Sequence, residues 1–273
     1  IEWEFGGIFV RVAIIGGGPA GVACAVLLKR YGINATIYEK NEIGGLIRNA
    51  WRVENFPPVG FVSGNEFVNR LKWYVDEYGI DVVKDEILHV NDYEVVGRND
   101  RYACDVVVIA TGTSPRRIVT LEGSNTFYEY ASLPDNIKTV VIYGGGDVAI
   151  DYAIHAKEDG IEPIVLVRGD RLKAVDRLVQ YAKQKDITIH LNEAIAFVEQ
   201  KSGFLYLHTH NGSYTANALL LAIGRVGNKP EIETKSMKTY EIGDVAHPEL
   251  RQSSIAIGDG IRCAMEIIMD VNK

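Results

Sequence analysis

The sequence predicts an α/β fold of two units built to one plan, with the second unit inserted into the first. Three observations carry that prediction. An apolar run enters a glycine-rich turn and continues as a helical stretch twice, at residues 12–30 and again at 139–158. Each unit later has an apolar strand that stops at a glycine turn: residues 105–110 before Thr111-Gly112, and residues 218–223 before Gly224. The residues beyond Gly224 repeat neither pattern, as expected if the chain returns there to finish the first unit. Strand, glycine turn and helix in that order make a Rossmann-like, dinucleotide-binding arrangement. The division expected is 1–114 with 224–273 for the first domain and 115–223 for the second.

Composition narrows the class. With 273 residues, 47% hydrophobic and 24% charged, the chain has the core of an ordinary globular protein. A net charge of −7 argues against a broad nucleic-acid footprint. No apolar run is long enough to span a bilayer and no signal-peptide pattern opens the chain, so a cytoplasmic protein without a membrane partner is expected. The opening Ile-Glu-Trp-Glu-Phe-Gly-Gly reads as a short extension, a cloning remnant or an extra edge strand. Cys24, Cys104 and Cys263 are far apart and form no Cys-x-x-Cys pair or zinc spacing; they read as core cysteines of a reducing compartment.

The first glycine turn carries the chemistry. Gly16, Gly18 and Gly21 fill the G-x-G-x-x-G positions after the strand 12–15. The first glycine permits the tight turn, the second lets a pyrophosphate approach the backbone, and the third lets the helix pack on the strand. An Ala/Leu-rich helix, Ala23 to Arg30, follows, and the helix N-terminus offers N–H groups and a positive dipole end to phosphate. A second strand, 35–38, ends in Glu39, 23 positions after Gly16, where a carboxylate can accept hydrogen bonds from an adenosine ribose.

Taken in order, Gly44-Gly45 and the Pro-rich stretch to Pro58 read as a functional loop, residues 65–78 as an amphipathic helix, and 81–103 as short strands. A strand ending Ala110-Thr111-Gly112 brings bare backbone to a bound cofactor. Residues 115–132 read as a crossing between domains. The second turn, Gly144-Gly145-Gly146-Asp147-Val148-Ala149, has Ala in the third glycine position. The strand after it, 163–167, ends in Arg168, with Arg171 and Lys173 close behind; a basic strand end suits the 2′-phosphate of NADPH better than the bare ribose of NADH. Residues 178–185 read as helix, 187–190 as strand, and 194–215 as an antiparallel ribbon turning at Asn211-Gly212. A closing helix is expected from Ile261 to about Asp270.

Together, Gly16–Gly21, Gly44-Gly45, Val53-Glu-Asn-Phe-Pro57, Ala110-Thr-Gly112, Gly144–Asp147, Gly243-Asp244 and Arg251-Gln252 resemble the thioredoxin reductase-like flavoproteins of the pyridine nucleotide–disulfide oxidoreductases. The resemblance spans nearly the whole chain. It implies an FAD domain formed from both chain ends and an inserted NAD(P)H domain. It places the FAD pyrophosphate at Gly16, Gly18, Pro19, Ala20 and Gly21 and its ribose at Glu39 and Lys40. Gly45, Leu46, Asn55, Ala110, Thr111 and Gly112 line the same cavity. Gly243 and Asp244 lie by the ribityl chain, and Arg251, Gln252 and Ser253 by the pyrimidine edge of the ring. Gly144, Gly146, Asp147, Val148 and Ala149 hold NAD(P)H, with Arg168 and Lys173 nearest a 2′-phosphate. A homodimer is implied as well.

The departures bear on function. Where disulfide-reducing members carry Cys-x-x-Cys before the second glycine turn, this chain has Phe127 and Tyr130. Both read either as flavin-facing rings or as core aromatics. The family's His-Arg-Arg element is reduced to Val167-Arg168-Gly169, Leu46 stands where Gln is usual, and the stretch from Gly224 to Gly243 is short. His247 reads as a surface histidine or one that reaches the flavin. The expectation is an oxidoreductase passing electrons from NAD(P)H through FAD to an external acceptor, without an internal disulfide. The alternatives are a flavoprotein reduced by ferredoxin or another donor, and a non-enzymatic FAD-binding redox sensor.

Overall fold

A computed structural model describes residues 10–271. The opening heptapeptide, and with it the reading of that segment as an edge strand, lies outside the described residues. Five α-helices are described: α1 (Pro19–Arg30), α2 (Gly64–Glu77), α3 (Asp147–Glu158), α4 (Asp176–Gln184) and α5 (Ser253–Val271). The chain divides into two compact units, the first holding residues 10–48, 54–114 and 226–271, the second 49–53 and 115–225. Residues 49–53 thus pack with the second unit, although the sequence division keeps them in the first.

The first unit is built on a parallel sheet. Its strands lie in the order Lys238–Glu241, Val106–Ile109, Arg11–Ile15, Asn34–Tyr38, Asp81–Val83. The central strands are buried on both faces, which is why they read as unbroken apolar runs. Ala13, Ile15, Val107 and Ile109 turn to one side, where they pack with Val90 and Val95 of a small sheet formed by residues 87–103 and Glu231–Ile232.

The second unit repeats the plan. Thr188–Leu191, Glu162–Val167, Thr139–Tyr143, Ala218–Leu221 and Thr126–Phe127 form its parallel sheet in that order. The two-residue period of a strand sorts its side chains. Val140 and Ile142 pack with Ile150, Ala153 and Ile154 of α3, while Val141 and Tyr143 pack with Leu205, Leu207 and Ala216 of the antiparallel ribbon 195–216. Residues 115–132, expected as a crossing, belong to this unit and supply its edge strand.

The largest correction concerns α5, which begins at Ser253 rather than Ile261. Gly258 and Gly260 mask it in the sequence, since glycine disfavours helix interiors by about 1 kcal/mol. Gly260 is there because α5 lies on the backbone of α1: a Cβ at that position would stand 2.2 Å from the Ala20 carbonyl oxygen and 3.1 Å from the Cys24 nitrogen. The strand Lys238–Glu241, read from the sequence only as unmatched chain, pairs in parallel with Val106–Ile109.

Candidate cofactor sites

In the first unit the glycine turn sits at the ends of the three central strands. Gly16 N–H donates to the Tyr38 carbonyl and Ala110 N–H to the Ile15 carbonyl, each at 2.8 Å. Gly16 has φ +108°, and a Cβ there would meet the Ala110 oxygen at 2.4 Å; at Gly21 a Cβ would meet the Gly16 oxygen at 2.0 Å. At Gly18, the N-cap of α1, the same construction meets nothing within 4 Å. No side chain caps this end of α1, and Pro19 sits in the first turn where a missing N–H costs nothing. The first-turn N–H groups of α1 thus have no capping side chain, and the space beside Gly18 is clear, which is what a pyrophosphate requires.

Glu39 is fixed beside this cradle. Its carboxylate accepts the N–H of Gly17 at 2.7 Å and of Asn41 at 2.8 Å, leaving lone pairs for a ribose hydroxyl. Gly44 N–H donates to the Gly17 carbonyl at 2.8 Å, and a Cβ on Gly45 would lie 3.2 Å from the Gly18 Cα, so Gly44-Gly45 closes over the turn. Leu46 follows in a short 3₁₀ helix. Lys40 points elsewhere: its ammonium pairs with Glu86 at 3.3 Å on the surface.

The returning chain packs against this turn. Gly243, with φ +68°, packs against Ala20, and its N–H donates to Asp259 of α5 at 3.1 Å; Asp244 follows in a 3₁₀ turn. Asn55 donates through its side-chain amide to the Gln252 side-chain oxygen. The Gln252 carbonyl accepts Ala256 N–H at 2.9 Å at the start of α5, where Ser253 is the first helical residue. The Arg251 guanidinium donates to the Pro248 carbonyl at 3.2 Å. The Thr111 hydroxyl donates to the Asn228 carbonyl, whose own N–H returns to the Gly112 carbonyl at 3.0 Å. Asp259 is a neighbour of these residues that sequence reasoning missed. Besides Gly243 it lies 3.7 Å from the His247 imidazole, supplying the partner that the sequence did not reveal.

The second turn has the same economy. A Cβ on Gly144 would lie 2.3 Å from the Ala222 oxygen, Gly146 meets nothing within 4 Å, and Ala149 is fully buried on the sheet. Asp147 has a role the motif did not announce. Its carboxylate accepts Val175 N–H at 2.8 Å, while Lys173 N–H donates to the Gly145 carbonyl at 2.7 Å. These two bonds hold the loop 168–175 against the glycine turn. Arg168, Arg171 and Lys173 are exposed on it, with no ion-pair partner among the described residues.

Phe127 and Tyr130 both pack in the core of the second unit. Tyr130 is buried, donates to Asp159 at 2.7 Å and stacks on His155 with ring centroids 4.0 Å apart. Its ring is held within the core of the second unit. Between them in sequence, Glu129 forms a half-buried ion pair with Arg225 at 2.5 Å and also accepts from Asn49 and Tyr152.

Two parallel sheets, each carrying a glycine turn of dinucleotide-fold geometry, define a protein of the two-dinucleotide-fold class. The chain belongs to the pyridine nucleotide-disulphide oxidoreductase family, which matches residues 10–259, and is a thioredoxin reductase-like, FAD-dependent NAD(P)H oxidoreductase. It is 26% identical to a thioredoxin reductase of Buchnera aphidicola over 84% of this chain and 79% of that one. It is 25% identical to the thioredoxin reductase of Bacillus subtilis over 94% and 93%. Among solved structures, thioredoxin reductase from T. acidophilum superposes with a TM-score of 0.82 at 20% identity, covering 96% of this chain and 98% of that one. Lactococcus lactis thioredoxin reductase in its FR conformation gives 0.81 at 19%, covering 96% and 99%.

Proposed function

We propose that this protein passes electrons from NAD(P)H through FAD to an external acceptor, a small molecule or a redox protein, without an internal disulfide relay. The observation that carries the reading is the side-chain content of the positions before Gly144: Phe127 and Tyr130 stand where disulfide-reducing relatives have thiols, and the Tyr130 ring is built into a core. FAD when bound supplies hydride acceptance and its onward release as electrons. The chain supplies position and field. The α1 N-terminus and Gly18 hold the pyrophosphate, Glu39 the ribose, and the Asn55–Gln252 pair orients the backbone at the ring's pyrimidine edge. N–H groups there favour negative charge on the ring, as in an oxyanion hole.

NADPH is the favoured donor, because Arg168, Arg171 and Lys173 form an exposed basic group pinned beside the second turn. The protein acts as a homodimer in the cytoplasm. The assigned site is Gly16, Gly18, Pro19, Ala20, Gly21, Glu39, Gly45, Leu46, Asn55, Ala110, Thr111, Gly112, Gly243, Asp244, Arg251, Gln252 and Ser253 for FAD; Lys40, turned to Glu86, serves the surface. Gly144, Gly146, Asp147, Val148, Ala149, Arg168 and Lys173 serve the nicotinamide nucleotide.

Anaerobic titration of the FAD-loaded protein with NADH and NADPH, followed by the flavin absorbance band, tests the reading. Rapid bleaching by NADPH at low excess is expected. No bleaching by either nucleotide overturns it, and reduction by ferredoxin alone would establish the alternative donor.

A further inference from the structure

The three cysteines are distant in sequence, yet two of them meet. Cys24 lies in α1 and Cys263 in α5; both are buried, and Cys263 is the neighbour that acts most strongly on the Cys24 thiol. The contact follows from Gly260, which lets the α5 backbone reach that of Cys24 and stands one helical turn before Cys263. Helices whose backbones touch bring Cα atoms on the facing turns into the 4.4–6.8 Å range, roughly, that a disulfide spans. The third thiol, Cys104, lies in a different cluster, among Val107 and Val95 below the opposite face of the sheet.

We infer that Cys24 and Cys263 are an oxidative modification site: a dithiol that a peroxide converts to a disulfide joining α1 to α5. One thiolate attacks the peroxide O–O bond, giving a sulfenic acid and releasing water. The second thiolate attacks the sulfenic sulfur and displaces its oxygen, which leaves as a second water after taking up a proton. Two thiols and one peroxide thus yield one disulfide and two waters; sulfur loses two electrons and the peroxide gains them. A peroxide is small enough for a buried pair, where a bulky disulfide reagent is not.

Rate and product are set by different features. The neighbouring Cys263, together with burial, holds the Cys24 thiol well above the ordinary thiol range, so the reactive thiolate is scarce at neutral pH and oxidation is slow. Proximity decides the product, because a sulfenic acid formed at either sulfur has the other thiol as its neighbour. The cross-link would tie the helix that opens at the FAD pyrophosphate to the helix that opens at Gln252 and Ser253, closing the cofactor frame from both ends of the chain. The pair lies off the proposed electron path, since sulfurs with no exposed surface can serve no external acceptor.

Peptide mapping of the wild-type holoprotein tests this independently of any donor or acceptor. The protein is treated with hydrogen peroxide at a series of pH values, quenched with catalase, denatured, alkylated with N-ethylmaleimide and digested. The expected product is a dithiothreitol-sensitive peptide pair holding Cys24 and Cys263, lighter by two hydrogens than the reduced pair, with Cys104 recovered alkylated. Its rate of formation should rise roughly tenfold per pH unit, as thiolate does below its pKa. The oxidised protein should release FAD several-fold more slowly, a change that Cys263→Ala and Cys24→Ala each abolish. Recovery of both cysteines alkylated, or as sulfinic or sulfonic acids, or paired with Cys104, overturns the inference. The map needs no variant, so a substitution that fails to fold leaves the test intact.

Discussion

The Asp151 carboxylate accepts the backbone N–H of Trp51 at 2.9 Å, fixing residues 49–53 onto α3 from a hundred positions away. The neighbouring bonds act the same way: Trp51 Nε1 donates to Glu158 at 2.6 Å, and Asn49 takes the Ala131 N–H at 3.0 Å. Burial dominates the environment of Asp151 and pushes its pKa up to about 7, from an ordinary 3.8.

That shift has a sign. Between the unfolded and folded values the native state holds the proton and the unfolded state does not, so stability falls as pH rises through this interval. Asp151→Asn keeps an acceptor for Trp51 and removes the charge. Its melting temperature relative to wild type should climb between about pH 4 and about pH 7 and level off above, by several degrees at the upper end. Thermal melts across that range check it; a difference independent of pH would assign Asp151 no such penalty.

Glu39 is the second test. Glu39→Ala orphans the N–H groups of Gly17 and Asn41 and removes the ribose acceptor. Hydrogen bonds to a charged group contribute about 1.5–3 kcal/mol each, so FAD affinity should fall at least ~10-fold. Glu39→Gln, retaining one oxygen, should fall less. Equilibrium dialysis of the flavin measures both.

The loop 168–175 predicts nucleotide preference. Arg168→Ala and Lys173→Ala should each raise the KM for NADPH about 10-fold, with NADH changed by less than about twofold, because only the phosphate gains charge-assisted bonds. Equal effects on both nucleotides would detach these residues from the 2′-phosphate.

Gly260→Ala tests the α1–α5 crossing. A methyl 2.2 Å from the Ala20 oxygen forces the helices apart, and overpacking of this kind costs about 1–3 kcal/mol. A melting temperature lowered by several degrees is expected, with weaker FAD retention, since Ala20 belongs to the cradle.

The parallel strands and both glycine turns were legible because their signals are local: an apolar run buried on both faces, then glycines that no side chain could replace. The position of Glu39 against the first glycine turn was legible by spacing alone. The start of α5 was not, because Gly258 and Gly260 argue locally against a helix and only the touching backbone of Ala20 explains them. The Asp147–Val175 bond, the Asp259 contacts and the meeting of Cys24 with Cys263 depend on chain returning from far away, and no spacing encodes them. Tyr130 was ambiguous for a related reason: its neighbours, His155 and Asp159, lie one helix later.

The first unit's parallel sheet takes its outer strand, Lys238–Glu241, and its covering helix, α5, from the far end of the chain. The second unit needs only residues 49–53 and 115–225. On a ribosome, where domains form as their residues emerge, the second unit can therefore close while the first still lacks a strand and a helix. The glycine turn at Gly16 is synthesised before the second unit, yet its frame at Gly243 and Gly260 follows that unit. Newly made protein should accordingly acquire nucleotide-binding capacity before it can retain a flavin.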